Sequence, residues 1–158
     1  MNTALENSID GSARGGYILI AQLNTKEYLD IGRLGTVQFP QGFYSYLGSA
    51  LGGFKTRLNR HLAIHKKMKW HIDYFLQRAT LLQIILLETP ERVECPISRI
   101  LTTELPFIPG FGASDCQCHS HLYFAKQKHI LELNIRKAID KIGSPAQILV
   151  VAKTSLEV

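Results

Sequence analysis

Apolar and polar positions alternate along this chain with two different periods. Tyr17 to Leu23 (YILIAQL) has the β-branched and aromatic content of a strand and follows a Gly15-Gly16 pair. Asn24 to Asp30 is polar and reads as loop, Gly35 to Phe39 as a short strand, and Pro40-Gln41-Gly42 as a turn. Phe43 to Leu47 is then expected to pair as the next antiparallel strand. Gly48, Gly52 and Gly53 interrupt the alternation. Phe54, Leu58 and Leu62 resume it at four-residue spacing, which predicts a helix from Phe54 to about residue 66. A second helical piece is expected over Trp70 to Arg78.

Thr80 to Leu87 (TLLQIILL) is almost wholly apolar, as a strand covered on both faces would be. Val93, Ile97, Ile100, Leu101 and Leu105 return to helical spacing. Pro96 fits that helix if it starts near Arg92, because a first-turn residue has no backbone hydrogen bond to lose. Leu122 to Ala125 is a short strand candidate. Gln127 to Ile142 is an amphipathic helix with Leu131, Ile135, Ala138 and Ile142 on its buried side, stopped by Gly143 and Pro145. Ile148 to Ala152 would add an edge strand. The order predicts an α/β fold of the α+β kind, a small mixed or antiparallel sheet flanked by helices.

Composition changes this picture little. The 158 residues, 46% apolar and 20% charged, suit one globular domain over 15–158 behind a flexible tail over 1–14. No apolar run approaches the ~20 residues that span a bilayer. The first fourteen residues lack a cationic start and an apolar centre, so a cytoplasmic protein is expected. Cys95, Cys116 and Cys118 are odd in number, and reduced thiols are the default there.

Charge distribution says more than the net +5. Lys55, Arg57, Arg60, Lys66, Lys67 and Lys69 lie between Lys55 and His71, interspersed with His61 and His65 and with no acid among them. Such a cluster is either the footprint of a phosphate-binding face or a solvated helix face. Gly42 to His61 compresses a strand, a glycine-rich turn and a basic helix into one stretch, where backbone amides and an arginine can meet a phosphate. Arg57 and His61 stand one helical turn apart on one face. Tyr17 and Tyr46 sit on strands that could pair, where tyrosines are usually packing residues. A phenol of shifted pKa beside an arginine can also act as a general base. Glu94, at the start of a helix, is either a partner of the helix dipole or a magnesium ligand.

Taken together, Gly15-Gly16-Tyr17, Tyr46-Leu47-Gly48, Arg57-Leu58-x-x-His61 and the later Glu94 resemble the GIY-YIG nuclease superfamily in residues and in order. GSALGG, KWHIDYFL, ERVEC and GFGASDCQCHSHL are similar to one uncharacterised branch of it, the domain of unknown function 123 type. The resemblance runs from about Gly15 to Phe124. It implies a metal-dependent endonuclease that hydrolyses phosphodiester bonds in DNA, or in RNA, with a role in DNA repair. Tyr17 would activate the attacking water and Tyr46 shape the same site. Arg57 would stabilise the phosphoryl transition state, His61 would assist proton transfer or contact the phosphate, and Glu94 would hold one magnesium or manganese ion. Lys55, Arg60, Lys66, Lys67 and Lys69 would contact the nucleic acid.

The chain departs from the family pattern in three ways. Gly16 replaces the central isoleucine, the connection between the two tyrosines is long, and the family's asparagine near the end of the core has no counterpart, Asn134 lying in the wrong context. Glu91 and Glu104 compete with Glu94 for the metal role. The alternative activities are a nucleic-acid-binding module that lost the chemistry, or a zinc-binding structural domain. Asp115, Cys116, Cys118, His119 and His121 have zinc chemistry, with Cys95 as an extra ligand, but C-x-C spacing strains a tetrahedral shell. The same segment also reads as a turn presenting Asp115 or His121 to the active site. His71 and Asp73 would orient catalytic groups, or pair with each other.

Overall fold

A computed structural model describes residues 9–151. Its centre is β1 (Gly15–Leu23), flanked by β4 (Gly42–Ala50) on one side and β5 (Thr80–Glu88) on the other. Strand β6 (Leu122–Ala125) extends the sheet beyond β4, and β7 (Gln147–Val150) extends it beyond β5. The order is β6-β4-β1-β5-β7. Every pairing is antiparallel, so the sheet is not mixed.

Side chains alternate across a strand, so β1 feeds two cores. Tyr17, Leu19, Ala21 and Leu23 point to one face, against Phe54 and Leu58 of helix α1 (Phe54–Leu62) and Ile72 and Phe75 of helix α2 (His71–Leu76). Ile18 and Ile20 point to the other, against Ile97 and Leu101 of helix α3 (Glu94–Thr102) and Leu131, Ile135 and Ala138 of helix α4 (Lys128–Ile142). Each fully buried aliphatic side chain there stabilises the fold by about 1.5–3 kcal/mol. Helices thus cover both faces, as the apolar run at Thr80 to Leu87 implied.

Local expectations were altered where distant partners intervene. Asn24 to Asp30, read as loop, contains β2 (Glu27–Asp30), because β3 (Thr36–Phe39) supplies its hydrogen-bonding partner. This hairpin, closed by a single 3-10 turn over Gly32–Leu34, is the long connection between the two tyrosine strands. Strand β4 therefore pairs with β1 and not with the strand before it. Helix α1 ends at Leu62, short of residue 66, with Ala63 extended. Lys66 instead reaches back and donates to the last-turn carbonyls of Arg60 and His61 at 3.0 and 3.1 Å. Helix α2 is also shorter than expected. Pro96 does sit in the first turn of α3.

Ile9 and Ala13 are buried on the sheet, and the Ala13 carbonyl accepts the Phe54 N–H. The stretch 9–14 of the expected tail is therefore docked. Residues 1–8 lie outside the described residues, as does Ala152 of the expected edge strand.

Candidate active site

Register decides which groups meet. Tyr17 on β1 is opposite Gly48 on β4, and Leu19 is opposite Tyr46, so both tyrosines emerge on the α1 face. A side chain at 48 would collide with the Tyr17 ring carbon Cζ, so glycine lets the phenol lie across β4. Gly16 has a parallel reason on the opposite face. A Cβ there would strike the Val93 side chain, so the glycine admits Val93 and brings the first turn of α3 against the sheet. Glu94 follows directly.

The result is a cleft of about 710 Å³ whose walls include Tyr46, Arg57, Trp70, His71, Glu94 and His121. Lys69, Arg92 and Asp115 stand at it as well. Tyr17 and His61 lie behind this wall. Tyr17 is 2% exposed, and its hydroxyl is 2.6 Å from His61 Nε2. Burial, then the nearby Tyr46, push the Tyr17 phenol above its ordinary value, and Arg57 opposes the rise without cancelling it. Burial raises the Tyr46 phenol likewise. His61 is held down to about 3, first by burial and then by the Lys66 charge. At neutral pH both phenols keep their protons and His61 is uncharged, so this imidazole shares a hydrogen bond with Tyr17 but resists taking up a further proton.

Arg57 is placed by packing. Its guanidinium lies 4.5 Å from the centre of the Trp70 ring, a cation–π contact that limits its rotamers. Arg60 stacks on the same ring at 4.4 Å and pairs with the fully buried Asp73. Asp73 also accepts the backbone N–H groups of Lys69 and Trp70 at 2.9 and 2.8 Å. Burial raises its carboxyl, but those backbone donors and the Arg60 guanidinium outweigh it and hold it below the usual carboxylate range. Trp70, which also packs against the core, is thus the platform of the basic wall. The clue in the sequence was one tryptophan among spaced arginines and lysines.

These contacts redistribute the basic cluster. Arg60 and Lys66 are engaged internally by Asp73 and the α1 carbonyls. Lys69 lines the cleft, while Lys55 and Lys67 are not among its lining residues. His71 and Asp73 do not pair with each other, since His71 Nδ1 accepts the Gly112 N–H at 2.8 Å and ties the long loop before β6 to α2.

On the acidic wall, Glu94 is 7% exposed and opens onto the cleft, whereas Glu91 and Glu104 are exposed elsewhere. Its Oε1 is 3.8 Å from the exposed Arg92, and its Oε2 is buried with no hydrogen-bond partner. A buried carboxylate oxygen without a partner fits a hard cation, which takes carboxylate oxygens together with water and phosphate oxygens.

Beside it, Cys95, Cys116, Cys118 and His121 form a group whose donor atoms all lie within 4.8 Å of one another and that could hold a metal ion. Burial, followed by its sulfur neighbours, pushes the Cys95 thiol up. Cys95 comes from α3, so the C-x-C pair supplies only part of the set. Asp115 and His119 are exposed and stand outside it.

A family model described as "Domain of unknown function DUF123" matches residues 16–144, which contain every residue of the cleft. The chain belongs to the DUF123 family. No curated protein and no solved structure matches it. In this DUF123 member no helix among the described residues is long and apolar enough to cross a membrane.

Proposed function

We propose that this DUF123 protein is a cytoplasmic, metal-dependent endonuclease of the GIY-YIG type that hydrolyses phosphodiester bonds in DNA, or in RNA, in the course of repair. The observation that carries this reading is the meeting of Tyr46, Arg57 and the partnerless Glu94 oxygen at one cleft, with the Tyr17–His61 pair immediately behind.

In this proposal the scissile phosphate enters the cleft and Arg57 binds its non-bridging oxygens, held in orientation by Trp70. Glu94 would hold magnesium or manganese, which when bound would supply Lewis-acid neutralisation of phosphoryl charge. Tyr17 keeps its proton and its hydrogen bond to the neutral His61 Nε2. From behind the Tyr46 wall, this pair helps to activate the attacking water as that water loses its proton to solvent. Tyr46 donates to a phosphate oxygen, a task that suits a phenol that keeps its proton. The test is incubation of purified protein with nicked, branched and duplex DNA and with structured RNA, plus magnesium or manganese. Cutting that disappears in Arg57→Ala and Glu94→Gln supports the reading. No cutting of any substrate, or cutting that survives both substitutions, sinks it.

A second reading is a binding module without chemistry. It is favoured by the burial of Tyr17 and by the upward shift of both phenols. It predicts salt-dependent binding of nucleic acid with no metal requirement. Affinity that does not change between low and high salt would remove it.

A further inference from the structure

We propose that Cys95, Cys116, Cys118 and His121 bind one zinc ion in a closed, four-ligand site that clamps the loop before β6 to the first turn of α3. The site does not depend on the nuclease reading.

Geometry is the first argument. Zn–S distances of about 2.3 Å and Zn–N distances of about 2.0–2.1 Å in a tetrahedron put neighbouring ligand atoms roughly 3.5–3.8 Å apart. Cys116 Sγ and His121 Nε2 are 3.5 Å apart, and the whole donor set lies within 4.8 Å. That is compact enough for a single ion. A cluster of several irons would hold its ligands further apart. A soft tetrahedron of three thiolates and one imidazole, with no carboxylate, favours zinc over magnesium or calcium.

Topology is the second. The ligands come from three places: α3 (Cys95), the turn holding Cys116 and Cys118, and the residue just before β6 (His121). The chain between Pro106 and His121 has no helix or strand of its own, yet it must pass against α3. So long an irregular segment inside a compact domain needs pinning. Its His121 end is already rigid. The Leu47 N–H donates to the His121 carbonyl at 2.9 Å, and the His121 N–H donates to the Phe111 carbonyl at 2.7 Å.

The third argument is that the three thiols are free, and three cannot all be consumed by disulfides within one chain. Grouped around one histidine, they would be three weakly satisfied polar groups without an ion.

Four protein ligands leave no open position, so this zinc is structural and does not replace the ion at Glu94. Its consequence for the cleft is positional. Cys95 follows Glu94 in the chain, so a filled site fixes the helical turn from which Glu94 reaches the cleft.

The experiment uses the full chain expressed without added metal. Elemental analysis should find about one zinc per chain, falling to roughly none in Cys116→Ser and staying near one in Glu94→Gln. Retention of zinc in the second variant separates this site from the one at Glu94. Because Cys116→Ser could fail to fold, the wild-type protein is also exchanged with cobalt. Intense visible d–d bands with a thiolate-to-cobalt charge-transfer band support tetrahedral ligation by three sulfurs and one nitrogen. The thiols should react with an aromatic disulfide reagent only after a chelator is added. Folded, metal-free protein with three freely reactive thiols would overturn the proposal. So would zinc that persists in Cys116→Ser, or an octahedral cobalt spectrum.

Discussion

Two buried tyrosines, one on each face of the sheet, live in opposite conditions. Tyr123 on β6 has the hydroxyls of Ser98 and Thr102 at 2.6 and 2.8 Å, and the carbonyls of Ser98 and Ser120 at 2.9 and 3.0 Å. It is a saturated knot that ties α3 to the sheet. Tyr17 leans on His61 with Arg57 beside it, and the His61 Nδ1 is itself buried with no partner. Five buried side-chain polar atoms among the described residues lack a hydrogen bond, namely Ser45 Oγ, Arg60 Nε, His61 Nδ1, Asp73 Oδ1 and Glu94 Oε2. Leaving such atoms unpaired costs free energy, and all but Ser45 Oγ lie on groups that line the cleft, stand behind it or position its basic wall. The Tyr123 face is satisfied from within; the Tyr17 face is left incomplete.

The largest expected effect tests the anchor of the incomplete face. Asp73→Ala strands Arg60 and the N–H groups of Lys69 and Trp70, and should cost about 3 kcal/mol in urea unfolding, the low end for a broken buried pair because Arg60 reaches solvent. A loss below about 1 kcal/mol would show the pair to be dispensable.

Arg57→Ala should lower single-turnover cleavage by about 10²–10³-fold while the melting temperature barely moves. A stable variant with unaltered cleavage would remove Arg57 from the chemistry.

The two tyrosines can be crossed directly. Tyr123→Phe should destabilise by about 2 kcal/mol and leave cleavage intact, whereas Tyr17→Phe should cost about 1 kcal/mol of stability and most of the cleavage. The opposite pairing would break the comparison.

Acid should weaken the incomplete face through His61. The unfolded chain takes up this proton below the ordinary value of 6.5, but the folded chain only near 3. The His61 contribution is therefore fully present above 6.5 and is lost progressively as pH falls from there towards about 3, by up to about 1.4 kcal/mol per pH unit. Burial lowers His71 and His121 in the same direction. His61→Gln should thus flatten, without abolishing, the fall in stability measured from about pH 8 to about pH 4. Identical slopes in the two proteins would show that His61 does not carry the effect.

Lys67→Ala is the smallest expected change. It should weaken nucleic-acid binding slightly and reduce the salt slope by about 1, because Lys67 is exposed whereas Lys66 is engaged by carbonyls. An unchanged salt slope would take Lys67 out of the binding face.

Much of the fold was legible because it follows local pattern. The amphipathic Lys128–Ile142 helix, the twice-covered β5 and the first-turn proline of α3 all rest on spacing within one segment. Strand β2 was not legible, because EYLD becomes a strand only when Thr36–Phe39 lies beside it. Within the site, Tyr46, Arg57 and Glu94 were nominated by residue type and order. The internal duties of Arg60 and Lys66 were invisible, since both turn on Asp73 and on the way the chain bends after Leu62. Cys95 was read as an accessory to the C-x-C pair, because nothing in its own segment points to a partner beyond the Pro106 to His121 loop.

By itself, then, the sequence determined most of the elements, their order and the kinds of chemistry available, since periodicity, turn residues and side-chain type act over a few positions. Tertiary structure alone decided which phenol faces the cleft and which lies behind it, which cations remain free, and which carboxylate oxygen lacks a partner. Those outcomes depend on register and on contacts between residues far apart in the chain, where one glycine at 48 or 16 sets how closely two elements approach.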